Sequence, residues 1–181
     1  MNTLRAVALV PSLALACCTP APEPTPLPSP VSQPAPRPAP AAPPVVQEPV
    51  YENFLDAPQT PGNWTYRNGD GFSYALFSPA SEPARFGIEC MKPSRQIRLV
   101  RGTGGSGPTP MRIRTETAQR LITANPDRSG RPMLVATLPA GDKLLDAMAL
   151  SRGRFAVETG GVETLYLPAW AEVTRVIEDC R

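Results

Sequence analysis

Few residues in this chain are of the types that carry out catalysis or bind metals. The 181 residues include no histidine, so the commonest general base and metal-binding side chain is missing. The four cysteines do not show the C-x-x-C spacing of zinc sites and redox motifs. We therefore predict no metal site and no cofactor.

Other routes to catalysis are also poorly supported. Without histidine, a serine nucleophile would need a lysine as its base, and only Lys92 (near Ser94) and Lys143 are present. Asp142 and Asp146 are one helical turn apart, but we place both on the solvated face of a helix, whereas glycosidase carboxylates flank a cleft. We expect a protein that is not an enzyme, with a hydrolase as the weaker alternative.

Proline and charge divide the chain into a leader, a tether and a body. Of the 25 prolines, 13 lie in residues 20–49, and because proline fixes φ and lacks an amide donor, this stretch favours an extended polyproline II conformation. We predict a signal segment at 1–17, a disordered Pro/Ala-rich tether at 18–50 and one domain at 51–181. The tether is a spacer or, alternatively, a PxxP ligand for a partner domain. The near balance of 18 basic and 16 acidic residues argues against nucleic-acid binding.

The N-terminus has the pattern of an export signal. Arg5 precedes the uncharged, mostly apolar residues 6–16, and small residues stand before Cys17. A run of that length is too short to span a bilayer, which needs about 20 residues. The sequence therefore predicts export from the cytosol.

Residues 13–17, which read LALAC, resemble the lipobox of bacterial lipoproteins. The resemblance implies that Cys17 is acylated, becomes the first mature residue and anchors the chain to a membrane. In that family an aspartate after the acylated cysteine disfavours transfer to the outer membrane. Cys18 is not aspartate, so the outer membrane, periplasmic face, is implied. The alternative is an ordinary cleaved signal with two incidental cysteines.

The body reads as mainly β. Turn signals separate short runs rich in β-branched and aromatic residues, which is typical of an antiparallel sandwich or barrel. Three runs alternate clearly, and the run 133–138 is apolar on both faces, as a central strand would be. We predict strands at 64–67, 72–77, 85–91, 96–101, 111–115, 119–123, 132–138, 154–159 and 163–167.

Two stretches are predicted to be helical, which puts the fold near the α+β border. Residues 142–150 contain good helix formers after an acidic start. Residues 168–180 form a C-terminal amphipathic helix that begins with Pro168 in its first turn. Its apolar stripe includes Trp170, which we expect to anchor the core.

The two cysteines of the body are predicted to form a disulfide. Cys90 lies on the face of its strand that also carries Phe86 and Ile88, and Cys180 lies on the apolar stripe of the terminal helix. Export would place both in an oxidising compartment. A redox pair is the alternative, but it favours close spacing, which is absent here.

The most suggestive surface residues are arginines. Arg98, Arg112 and Arg114 occupy polar faces of two strands joined by a glycine-rich loop, with Arg95 and Arg101 nearby. If the two strands form a hairpin, the three guanidinium groups share one exposed face and could bind phosphates or carboxylates of a partner. The alternative is a solvated face that blunts edge pairing.

The chain as a whole resembles small, proline-tethered lipoproteins of Gram-negative bacteria without an assigned activity, through residues 62–66, 151–158 and 167–180. The last third is distantly similar to the invasion-associated locus B type of β-sandwich. These resemblances imply a periplasmic binding or structural module whose partner is peptidoglycan, lipopolysaccharide or an envelope protein. The alternative is an inhibitor of a lytic enzyme or protease that inserts the loop 102–110 into its target.

Overall fold

The computed structural model describes residues 51–102 and 107–181. The predicted signal segment, the acylated Cys17, the tether and the middle of the glycine-rich loop lie outside these residues. Within the described part of the chain, neither helix has the length and apolar composition to cross a membrane.

The described residues form one nine-stranded antiparallel sheet, curled into a half-barrel, with two short helices. This confirms the predicted mainly β fold class. The sheet order is β1-β2-β3-β4-β7-β6-β5-β8-β9. The strands are β1 (Asn63–Gly69), β2 (Phe72–Ser78), β3 (Phe86–Met91), β4 (Gln96–Gly102), β5 (Thr109–Arg114), β6 (Gln119–Pro126), β7 (Met133–Pro139), β8 (Arg154–Thr159) and β9 (Leu165–Pro168).

Strand β6 joins the two halves of the curled sheet. It pairs with β5 from Gln119 to Ala124, and its last two residues, Asn125 and Pro126, pair instead with β7. It therefore runs three residues past its predicted end. The first part of β6 pairs with β5 and its end pairs with β7. Because the pairing partner changes along the strand, the two halves of the sheet can turn toward each other around a common interior.

Period-two alternation decides which side chains enter that interior. Phe86, Ile88 and Cys90 of β3 are buried, as are Ile97 and Leu99 of β4. Strand β7 is central, as predicted, but only one of its faces is buried: Leu134, Ala136 and Leu138 point inward, while the alternate residues are partly or fully exposed. The expectation that both faces would be covered was wrong, because the helices cover the inner face of the sheet alone.

The two helices are α1 (Lys143–Ala149) and α2 (Ala171–Glu178). Asp142 caps α1, because its carboxylate accepts a hydrogen bond from the amide of Leu144 at 2.9 Å. Helix α2 packs on the inner side of β1, β2 and β3 through Val173, Val176 and Ile177.

The predicted role of Trp170 was wrong. Trp170 is the N-cap of α2 with extended backbone angles (φ −84°, ψ 172°), so it stands outside the helical stripe, and it is 41% exposed. Pro168 ends β9 instead of opening the helix. The buried tryptophan is Trp64 of β1, whose indole N–H donates to the carbonyl oxygen of Pro168 at 2.8 Å and so links the two edge strands.

Cys90 and Cys180 lie at disulfide distance, as the sequence predicts, with their Cα atoms 5.5 Å apart. Both are buried. Cys90 belongs to β3, and Cys180 follows the last turn of α2. The pair therefore attaches the segment after α2 to β3, the third strand from one edge of the sheet.

A polar cluster beside this pair also holds α2. The Tyr66 hydroxyl donates to the Asp179 carboxylate at 2.6 Å, and the guanidinium of Arg175 lies 4.5 Å from the centre of the Tyr66 ring. Burial acts to raise the pKa of Asp179, but hydrogen bonds, including that from Tyr66, and the positive charges of Lys92 and Arg175 outweigh it, so the pKa is lowered.

This lowered pKa predicts a loss of stability in acid. A carboxylate whose pKa is lower in the folded than in the unfolded chain stabilises the fold above its unfolded pKa, about 3.9, and this contribution is lost as pH falls through the folded value. We expect the free energy of unfolding, measured by urea denaturation at pH 7 and at successively lower pH, to fall less steeply below pH 4 in Asp179→Asn than in the wild type. Asp56→Asn, at an exposed position, is the matched control and should keep the wild-type slope; equal slopes for all three proteins would refute this role of Asp179.

Candidate binding cleft

The structure separates the three predicted arginines into two groups. Strands β4 and β5 do not form a hairpin, because β7 and β6 lie between them in the sheet. Arg98, on β4, is therefore distant in sheet order from Arg112 and Arg114, which lie together on β5. The single shared patch expected from the sequence was wrong.

Arg112 and Arg114 lie on the outer face of β5, because the alternate residues Met111 and Ile113 are buried in the interior. Both arginines contact one carboxylate, Glu158 of the neighbouring strand β8. Their Nη1 atoms lie 3.3 Å and 3.1 Å from the two Glu158 oxygens. The charge of Glu158 thus compensates part of the positive charge and fixes the direction of both guanidinium groups.

The segment 51–60, which we call the N-terminal strap, crosses this outer face. The carbonyl oxygen of Glu52 accepts a hydrogen bond from Arg114 at 2.7 Å, and the Arg114 guanidinium lies 5.5 Å from the centre of the Phe54 ring. Phe54 and Ala57 of the strap are buried. The strap therefore packs as part of the body from its first described residues.

The strap is also joined to β8 and β9. The side chain of Arg154 donates to the carbonyl oxygen of Ala57. Thr60 exchanges two hydrogen bonds with the backbone of Tyr166, at 3.0 Å and 2.8 Å, and the rings of Tyr51 and Tyr166 meet edge to face at 6.0 Å. These contacts fix the strap as one wall of a cleft.

The cleft has a volume of about 560 Å³. Its lining combines two aromatic rings, two guanidinium groups, two carboxylates and one exposed apolar side chain. A carboxylate or phosphate could bind the arginines only by competing with Glu158, so the cleft suits reversible recognition of a partner that itself carries polar groups. The principal lining residues are Tyr51, Glu52, Arg112, Arg114, Leu121, Glu158, Thr164 and Tyr166.

The other predicted arginines have different environments. Arg98 is held between two carboxylates, Glu89 at 2.8 Å and Asp127 at 2.9 Å. Arg101 is buried and donates to the carbonyl oxygens of Arg85 and Glu163, so it joins β4 to the turn between β8 and β9. Arg95 follows the short 3-10 turn Lys92–Ser94 in a left-handed conformation (φ 50°).

The carboxylates considered for catalysis do not form a pair. Asp142 is only 13% exposed in its side chain and contacts Arg120 at 2.8 Å, so its expected place on a solvated face was wrong. Asp146 pairs with Arg181 at the end of the chain, at 2.5 Å. In the part of the chain that the structure describes, no three His, Cys, Asp or Glu side chains are grouped so that they could hold a metal ion.

Sequence reasoning missed the strap and Glu158. The strap carried a signal, because Tyr51, Phe54 and Leu55 follow directly after the proline-rich stretch and interrupt its composition. No sequence signal pointed to Glu158, because its position opposite Arg112 depends on the pairing of β5 with β8. No family model matches this chain, and no curated protein matches it significantly.

Proposed function

We propose that the chain is an outer-membrane lipoprotein, anchored through acylated Cys17 on the periplasmic face, whose body is a binding or structural module of the cell envelope. The leader ending in LALAC at residues 13–17 supports the anchor. The signal segment would then direct export, the tether would act as the spacer, and the body would be the functional domain of one envelope protein.

The observation that carries this proposal is the buried Cys90–Cys180 pair at disulfide distance. A structural disulfide persists in oxidising compartments and is rare in the cytosol. The pair agrees with an exported chain, and it is independent of the N-terminal pattern that first suggested export.

The binding role is supported by the fixed geometry of the cleft. Glu158 orients Arg112 and Arg114 before any partner arrives, and the N-terminal strap forms a wall beside them. Side chains held in place in this way lose little conformational entropy on binding. The membrane is reached through the lipid anchor, and the partner would be peptidoglycan, lipopolysaccharide or an envelope protein.

Two adjacent cysteines allow a matched test of the anchor. In cells that express the full chain, we expect Cys17→Ser to lose incorporated fatty acid and to leave the outer-membrane fraction, because no acyl chain would then enter the bilayer. Cys18→Ser should keep both properties. Fatty-acid labelling and cell fractionation measure them; Cys17→Ser that is still labelled and still sediments with the outer membrane would refute the proposal.

A further inference from the structure

A second surface lies on the outer face of the sheet, around Arg98, away from the cleft. Two concavities adjoin there and both are lined by Arg98, one of about 400 Å³ over β2 and β3 and one of about 530 Å³ over β4, β7 and β6. Tyr74, Glu89, Arg98 and Thr137 are successive cross-strand partners, so they form one row across four strands. We call this surface the Arg98 groove.

One half of the Arg98 groove is apolar and aromatic. Phe72 and Met91 are cross-strand partners and are 46% and 37% exposed. The Phe72 ring is parallel to that of Tyr74, with an angle of 7° between the planes and centroids 6.0 Å apart. Phe72, Tyr74 and Met91 therefore form one contiguous group at the surface, and contiguous apolar surface is more typical of an interaction site than apolar residues scattered singly.

The other half is polar, and its central charges are held in ion pairs, with Arg131 also 3.8 Å from Asp127. Both ends of the Arg98 guanidinium contact carboxylates, Glu89 on one side and Asp127 on the other. Hydrogen bonding to Ser129 and the nearby charge of Arg98 keep the pKa of Asp127 below its usual range, although burial opposes them. An ionic ligand would have to break these pairs, whereas a ligand with hydroxyl groups could bond to them as they stand.

The remaining polar side chains of this half are two amides and a hydroxyl, those of Gln96, Asn125 and Thr137, together with Arg128. The amides and the hydroxyl donate and accept hydrogen bonds without a net charge of their own, while Arg128 adds one exposed guanidinium. The groove extends over five strands, which at the usual spacing between strands is roughly 19 Å. A surface of this length suits a chain of several units.

We propose that the Arg98 groove binds the uncharged backbone of a cell-wall glycan. A sugar ring presents weakly positive C–H groups on its face, which suit the negative face of an aromatic ring, and hydroxyl groups at its edge. The groove offers an aromatic half for the first and amide, hydroxyl and paired-charge groups for the second. This inference rests on the proposed function, which would place the body beside the wall.

The test is co-sedimentation of the purified full chain with isolated peptidoglycan sacculi, with competition by a soluble N-acetylglucosamine oligosaccharide. We expect wild type to sediment, the oligosaccharide to release it, and high salt to leave binding unchanged. Phe72→Ala should weaken binding at least about fivefold because it removes the aromatic contact, and Asn125→Ala should also weaken it. Both residues are exposed or lie at the surface, so unfolding is not expected.

Leu150→Ala is the matched control, because Leu150 is 78% exposed at the end of α1, outside the groove. It should bind as wild type does. Three results would each overturn the inference. They are wild type that binds neither sacculi nor oligosaccharide, Phe72→Ala that binds as wild type does, and binding that high salt abolishes. Fractionation of the same strains separates the two proposals, since a chain that remains in the outer membrane but fails to bind sacculi contradicts only the glycan site.

Discussion

Replacing both Cys90 and Cys180 with alanine should lower the free energy of unfolding by about 4–5 kcal/mol. The two residues are 90 positions apart, and a cross-link that closes a loop of this length removes much of the conformational entropy of the unfolded chain. Without it, α2 would be held to the sheet by Val173, Val176 and Ile177 and by the Tyr66–Asp179 hydrogen bond.

Urea denaturation of the double variant and of wild type, each with and without reductant, measures this effect. Reductant should bring wild type close to the variant and should leave the variant unchanged. A wild-type midpoint that reductant does not move, and that the double variant shares, would show that the pair contributes no cross-link in the native protein.

Trp64→Ala should destabilise the body by about 3–5 kcal/mol, as expected when a large aromatic side chain is removed from a core. The Trp64 ring meets Phe77 and Phe86 edge to face, at 5.3 Å and 6.3 Å between centroids. Its N–H also bonds the carbonyl oxygen of Pro168. Loss of the ring therefore opens a cavity and separates β1 from the end of β9.

Two further variants separate packing from hydrogen bonding at this position. Trp64→Phe keeps most of the aromatic volume and should cost about 1–3 kcal/mol, because the buried Pro168 carbonyl loses its donor. Trp170→Ala, at the exposed tryptophan, should cost less than about 1 kcal/mol. Thermal and urea denaturation measure all three. Equal losses for Trp64→Ala and Trp170→Ala would contradict the assignment of Trp64 as the core anchor.

The secondary structure of the body could be predicted well from the sequence because its signals are local. Period-two alternation in β3, β4 and β8 predicted which side chains face the interior, and those residues are buried. The pairing of Cys90 with Cys180 followed in the same way, since each lies on the buried side of its element.

Strand order could not be predicted, because it depends on contacts between residues distant in sequence. The short connection between β4 and β5 suggested a hairpin, yet β4 pairs with β3 and β7, and β5 with β6 and β8. This one difference divided the expected arginine patch. It placed Arg112 and Arg114 beside Glu158, and Arg98 between Glu89 and Asp127.

The error at Trp170 has a similarly local cause. A stripe drawn at helical spacing is correct only where the backbone is helical, and α2 begins one residue later, at Ala171. Pro168 was compatible with a first helical turn, but it is the last residue of the edge strand β9. Boundaries of elements are decided by such competition between neighbours.

The two sites on the outer face of the sheet have different proposed ligands. In the two proposals, the cleft beside the N-terminal strap would present oriented arginines to a polar partner, and the Arg98 groove would present aromatic and amide groups to a glycan. Both lie on the convex face, because the helices occupy the inner face.

The central claim is that a lipid on Cys17 anchors an exported, disulfide-linked body, and intact mass spectrometry of the native mature protein tests it most directly. We expect a chain that begins at Cys17, carries several acyl chains and is two hydrogens lighter than the fully reduced form. A mass equal to that of the complete, unacylated chain with all four thiols reduced would contradict the account.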